Sequence, residues 1–207
     1  RTASGAPGHA YWQNTADYQM DIVLDDDKQR IYGVEKINYT NKSPDDLEYL
    51  WIQLDQNVRN PESETYKIQQ GNIKDGVSLY EYFNLFHTFP GGFNIDYVND
   101  ENGNSFSVKV NHTMMRIDLA KPLQSGDSIA INIKWWYNIN DRMEMGGRSG
   151  YEYFKEEDNY LYTIAQFFPR MAVYSDVTGW QNKQFLGRGE FTLPFGDYDV
   201  KLTVPES

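Results

Sequence analysis

Ser128-Ile129-Ala130-Ile131-Asn132-Ile133-Lys134-Trp135 puts an isoleucine or tryptophan at every second position, with small or polar residues between. Successive side chains of a strand point to opposite faces, so this alternation describes a strand with one buried and one wetter face. Outward from it the same period recurs. Upstream, Pro122-Leu123-Gln124-Ser125-Gly126-Asp127 is a turn by residue type, and Met115 to Leu119, Phe106 to Val110 and Asn94 to Val98 read as strands. The Asn102-Gly103 pair predicts a tight hairpin between the last two. Nearer the start, Tyr18, Met20, Ile22 and Leu24 share a face, Asp25-Asp26-Asp27-Lys28 forms a charged turn, and Ile31 to Thr40 resumes the pattern around Gly33. After the turn Asn41-Lys42-Ser43-Pro44-Asp45, Leu50, Ile52 and Leu54 alternate with Trp51 and Gln53, so the opening is expected to be a β-meander. Downstream, Gly146-Gly147-Arg148-Ser149-Gly150 reads as a mobile loop, and Tyr160 to Gln166 and Tyr198 to Val204 complete the set.

About nine or ten strands separated by turn signals predict an all-β fold, a sandwich or saddle of mostly antiparallel strands with little helix. Asp55 to Phe89 breaks the period and is expected to be an irregular excursion, with Pro61-Glu62-Ser63-Glu64 opening a short helix. No linker or repeat divides the chain. The expected organisation is a disordered or extended tail over residues 1–15 and a single β domain over 16–207.

The whole sequence has 207 residues, with 15% aromatics including 16 Tyr, 11 Phe and 5 Trp. Its mean hydropathy is −0.70. A hydrophilic chain rich in aromatics suits pleated, half-buried surfaces. Thirty acidic against 19 basic residues give a net charge of −11, which argues against binding to nucleic acid or anionic lipid. No apolar run approaches the roughly 18 residues of a membrane-spanning helix. The start, Arg1-Thr2-Ala3-Ser4-Gly5-Ala6-Pro7-Gly8, lacks an apolar signal core and reads as a disordered tail or the remnant of a removed leader. An exported, periplasmic or envelope-associated protein is therefore expected, with the cytoplasm as the alternative.

The absence of Cys excludes disulfides, thiolate metal sites and a thiol nucleophile within this sequence. The three histidines, His9, His87 and His112, show no HExxH spacing, and each reads as an ordinary surface or core residue. Asp25-Asp26-Asp27 lacks the Gly and distal Glu of a calcium loop and reads as a solvated turn, as does Glu156-Glu157-Asp158. There is no Gly-x-Ser-x-Gly elbow and no phosphate-binding glycine loop opening a helix. Two carboxylates facing a cleft would suffice for a glycosidase, but 30 acids single out no pair. The tryptophans Trp12, Trp51, Trp135, Trp136 and Trp180 read first as core or interface residues. If exposed, they would suit a free-standing carbohydrate-binding or adhesion sandwich.

One segment stands apart: Tyr160-Leu161-Tyr162-Thr163-Ile164-Ala165-Gln166-Phe167-Phe168-Pro169-Arg170-Met171-Ala172-Val173-Tyr174-Ser175-Asp176, then Gly179-Trp180, Gly187-Arg188-Gly189-Glu190-Phe191 and Gly196 to Pro205. It reads as a strand, a Pro-terminated crossover and a final strand, with Gln166 and Arg170 as polar residues among aromatics. This order resembles the amino-terminal β domain of the gluzincin zinc aminopeptidases, the family of aminopeptidase N and leukotriene hydrolase, in a divergent bacterial branch. There the corresponding stretch reads Thr-Gln-Phe-Glu-Pro, then Ala-Arg-x-x-x-Pro-Cys-x-Asp, then a Phe-containing strand ending in Val-Pro. Ala165 to Pro169 match the first block, and Arg170 with Asp176 the second after a short deletion. Tyr18 to Leu24, Ile31-Tyr32-Gly33, Asn41, Leu47 to Leu54, Lys121 to Asp127 and Gly150-Tyr151 are similar to the family's meander, its Pro-Leu-x-x-Gly turn and its Gly-Tyr.

The resemblance implies a non-catalytic wall of a substrate cleft. Family members hold zinc on an HExxH helix in a thermolysin-like domain that follows the β domain, and none of those residues occurs here. Zinc, the catalytic domain and a peptide substrate are thus expected as partners in a longer enzyme, with no peptidase activity in this chain alone. The resemblance makes Gln166 the substrate-facing hydrogen-bond partner. Phe168 replaces the carboxylate expected two residues later, which removes an anchor for an ammonium group. Arg170 and Asp176 are expected to serve structural salt bridges. Ser207 is expected to lie inside the β domain, beside an unpaired sheet edge prone to association.

Overall fold

The computed structural model describes residues 2–65, 89–146, 148–187 and 192–206. Residues 66–88 of the Asp55 to Phe89 excursion, His87 among them, and Gly147, Arg188-Gly189-Glu190-Phe191 and Ser207 lie outside the described residues. Among those described, thirteen strands are present. They are β1 (Thr15–Asp25), β2 (Arg30–Thr40), β3 (Leu47–Gln53), β4 (Asn94–Asn99), β5 (Ser107–Asn111), β6 (Met114–Leu123), β7 (Ser128–Asn138), β8 (Gly150–Phe154), β9 (Asn159–Thr163), β10 (Arg170–Met171), β11 (Tyr174–Ser175), β12 (Gly179–Trp180) and β13 (Tyr198–Thr203). The all-β expectation holds. Among the described residues, helix is limited to a 3-10 turn, Asp55–Arg59, one α-helical turn, Arg142–Met145, and the helical residues Glu64 and Thr65.

A five-stranded sheet in the order β13-β1-β2-β7-β4 faces a four-stranded sheet in the order β10-β3-β6-β5. The alternating residues meet between them: Tyr18, Met20 and Ile22 of β1, Ile37 and Tyr39 of β2, and Ile131, Ile133 and Trp135 of β7 pack against Leu50, Ile52, Met115 and Ile117. Burying each such side chain is worth about 1.5–3 kcal/mol. The β1–β2–β7 ladders run eleven residues without a break in register, because one fully buried face punishes a one-residue slip. Gly33 lies opposite Trp135, and a Cβ there would sit 2.2 Å from the indole ring, so glycine lets the ring lie across the neighbouring strand.

The structure corrects two expectations. The opening is not a continuous meander, because β3 leaves β2 for the other sheet. The Asn41 carboxamide closes that turn, donating to Asp45 O (2.7 Å) and Leu123 O (3.0 Å) while accepting from the Ser43 N–H (3.0 Å). The β4–β5 hairpin is only local: Phe106 N–H reaches Val98 O (2.9 Å), after which β4 pairs with β7 and β5 with β6. The Gly146 to Gly150 loop is bracketed by two regular elements. Asp141 caps the one-turn helix through the Met143 and Glu144 N–H groups, and Gly150 opens β8 with a φ of 149°.

One residue on the core face breaks the apolar pattern. Glu35 lies on β2 between Met20 of β1 and Ile133 of β7, is 1% exposed, and neither carboxylate oxygen has a hydrogen-bond partner among the described residues. Burial in this apolar setting raises its pKa well above the ordinary carboxylate value, because desolvation disfavours the charged form. A carboxyl whose folded pKa exceeds its unfolded value near 4.3 contributes less stability as pH rises through the window from that value to the raised one. Glu35→Gln is expected to abolish this decline of up to about 1.4 kcal/mol per pH unit, read as urea unfolding free energy from pH 4 to 8. An identical pH slope in the variant would contradict the assignment.

Candidate functional site

Strand β9 ends at Thr163 instead of continuing to Gln166, and the chain turns there. Gln166 occupies the left-handed region at a φ of 53°. For a residue with a Cβ that conformation costs about 1 kcal/mol or more and persists only where the surroundings enforce it. The enforcing groups come from elsewhere in the sequence. The Gln56 Nε2 amide donates to Ala165 O (2.8 Å) and to Gln166 O (3.1 Å). The Ser149 hydroxyl accepts from Ala165 N–H (3.1 Å), and Arg59 Nη1 donates to Gln56 Oε1 (2.8 Å).

Beyond the turn, β10 is tied down at once. It pairs with Gln53 and Ile52 of β3, Met171 N–H donates to the Tyr18 hydroxyl (2.9 Å), and Ala172 N–H donates to Trp51 O (2.9 Å). Arg170 Nη2 and Asp55 Oδ2 form an ion pair with side chains 6% and 2% exposed. Burial lowers the pKa of both Arg170 and Arg59 and pushes the Tyr18 hydroxyl up, so that hydroxyl stays protonated beside Met171.

Gln166 itself is half-buried, and its carboxamide has no hydrogen-bond partner among the described residues. The backbone is therefore fixed while the polar head remains available. An apolar groove of about 570 Å³ lies beside it, lined by Leu24, Ile31, Tyr162, Ile164, Phe167 and Leu202 among others. Phe168 packs edge-on against Tyr18 (5.6 Å between ring centroids) and Tyr198 (6.3 Å). The residue that replaces the expected carboxylate thus serves packing.

The other singled-out residues disperse. Arg170 is structural, through Asp55, while Asp176 is exposed in the turn between β11 and β12. His9 is exposed in the tail, and His112 sits in the β5–β6 turn at a φ of 50°. None of the five tryptophans is exposed; Trp12 stacks on Tyr174 and Trp180 on Tyr39. Among the described residues no three His, Asp or Glu side chains converge on a metal position, so these residues do not fit a zinc ion. Sequence reasoning missed Asp55, Gln56 and Ser149. The polar Asp55-Gln56-Asn57 directly after a core strand was the available signal, since such a triplet is buried only when it is hydrogen-bonded.

No protein-family model matches the chain, and no curated protein matches it in sequence. Among solved structures, it is similar to an M1 zinc metallopeptidase from Deinococcus radiodurans, at 11% identity and a TM-score of 0.45. Two further similar structures are a mutant of that enzyme bound to a Tyr-Ser-Ala substrate and a two-domain M1 zinc metallopeptidase mutant bound to L-tryptophan, each at 12% identity and a TM-score of 0.45. In each case the match covers 93% of this chain and 33% of the other, so the chain spans about a third of the length of the structures it matches.

The buried ion pair is open to test. Removing either partner strands a charge, so Asp55→Leu and Arg170→Met are each expected to cost about 3–5 kcal/mol in urea unfolding. The double variant is expected to cost less than the sum of the two; strict additivity would contradict a coupled pair.

Proposed function

We propose that this chain is the non-catalytic amino-terminal β domain of a zinc-dependent, aminopeptidase-like metallopeptidase, and that Gln166 hydrogen-bonds the substrate's free amino terminus from one wall of the cleft. The observation that carries this reading is Gln166 itself. It stands at the position where the ordered motif series places a substrate-facing glutamine, on a strained turn whose backbone is fixed and whose carboxamide has no partner among the described residues. Strained backbone enforced by its surroundings is a recurrent feature of ligand-contacting positions. The apolar groove beside the turn is suited to the side chain of a bound peptide.

In this reading the zinc and its water-activating chemistry belong to a domain that follows the β domain, and this chain contributes binding and orientation. The Gln166 Oε1 accepts one hydrogen bond from an α-ammonium. With Phe168 in the carboxylate position, that anchor is neutral, so the preference for a charged amino terminus is weaker than with an acid in that place. The exported or envelope compartment belongs to the same proposal.

In the full-length protein, Gln166→Ala is expected to lower kcat/KM on an aminoacyl-anilide by about 10-fold or more, the scale of one hydrogen bond to a charged group. An unchanged kcat/KM would return Gln166 to a purely structural role.

A further inference from the structure

We propose that Gln56 is the positioning residue of this site: it sets the direction in which the Gln166 side chain leaves the backbone. The inference rests on the function proposed above for Gln166, but its geometric part stands on this chain alone.

Gln56 lies in the 3-10 turn that follows β3 and is 2% exposed. A buried carboxamide must find partners, and the two protons of its Nε2 find two carbonyls, Ala165 O at 2.8 Å and Gln166 O at 3.1 Å. Those carbonyls belong to the two peptide planes on either side of the Gln166 Cα. Holding both planes fixes φ and ψ of the residue between them, and with them the Cα–Cβ direction. One side chain thereby dictates the left-handed conformation that the local Ala165-Gln166-Phe167 sequence does not itself favour.

The amide's own orientation is determined too. Arg59 Nη1 donates to Gln56 Oε1 at 2.8 Å, so the oxygen faces the guanidinium and the nitrogen must face the carbonyls. Arg59 Nη2 also reaches Ser149 O (3.4 Å), and the Ser149 hydroxyl takes the Ala165 N–H (3.1 Å). The arrangement thus runs from Arg59 through Gln56 to the two carbonyls, with Ser149 holding the residue before Gln166. Neither a carboxylate nor a thioether replaces Gln56, since neither donates to two carbonyls.

Two measurements test this. In the 207-residue chain, the NMR backbone shifts and coupling constants of Gln166 are expected to report a positive φ in wild type. Gln56→Met is expected to lose that signature while the amides of β3 and β6 keep their exchange protection. Gln56→Glu retains the Arg59 contact, offers the carbonyls no donor, and is expected to behave the same way. A positive φ retained at Gln166 in either folded variant overturns the inference.

In the full-length protein, Gln56→Glu is expected to lower kcat/KM on an aminoacyl-anilide by about as much as Gln166→Ala, roughly 10-fold, and on the same constant, kcat or KM. Combining it with Gln166→Ala is expected to add less than twofold, because both remove one function. Fully multiplicative losses overturn the positioning role. If Gln166→Ala is silent in that assay, the proposed function fails, and the NMR result alone decides whether Gln56 sets the turn.

Discussion

The buried ion pair between Asp55 and Arg170 is the contact on which the site depends. Both side chains are almost entirely withdrawn from water, a placement that costs several kcal/mol per ion unless the partner is held in good geometry. That geometry comes from two short elements with little stability of their own, a 3-10 turn at the end of β3 and the two-residue strand β10. Each is marginal alone, and together they close the end of the four-stranded sheet. The Tyr18 hydroxyl reaches across from the five-stranded sheet to Met171, so the two layers of the sandwich meet at this point.

Once β10 is fixed on one side and β9 on the other, the six residues between them have little freedom. Within that confinement, the two hydrogen bonds from Gln56 to the flanking carbonyls set the left-handed conformation of Gln166 and offset its cost. The aromatic residues around it divide the work. Phe168 fills space against Tyr18 and Tyr198, and Phe167 lines the groove. The carboxamide of Gln166, just before them, is the one polar side chain among residues 164–169.

Period-two alternation made the central strands legible. The eleven-residue ladders of β1, β2 and β7 read clearly because one face of each is buried. The two-residue strands β10, β11 and β12 are too short to carry any period, and the crossing of β3 depends on an Asn41 bond to Leu123, 82 residues away. Glu35 shares the parity of Ile31, Ile37 and Tyr39 on β2, so the same period puts a carboxyl on the core face. Gln166 was legible as a candidate through the order of motifs around it, whereas its conformation was not. The group that enforces it, Gln56, lies 110 residues earlier, in a stretch whose irregular composition hid a buried polar turn.

The central claim is that Gln166 offers its carboxamide to the amino terminus of a peptide. The most direct measurement is a crystal structure of the full-length protein with a dipeptide bound. The account predicts the Gln166 Oε1 at about 2.9 Å from the ligand's α-amino nitrogen, with the residue still at positive φ. A carboxamide turned into the protein interior, with the amino terminus held entirely by other groups, would contradict it.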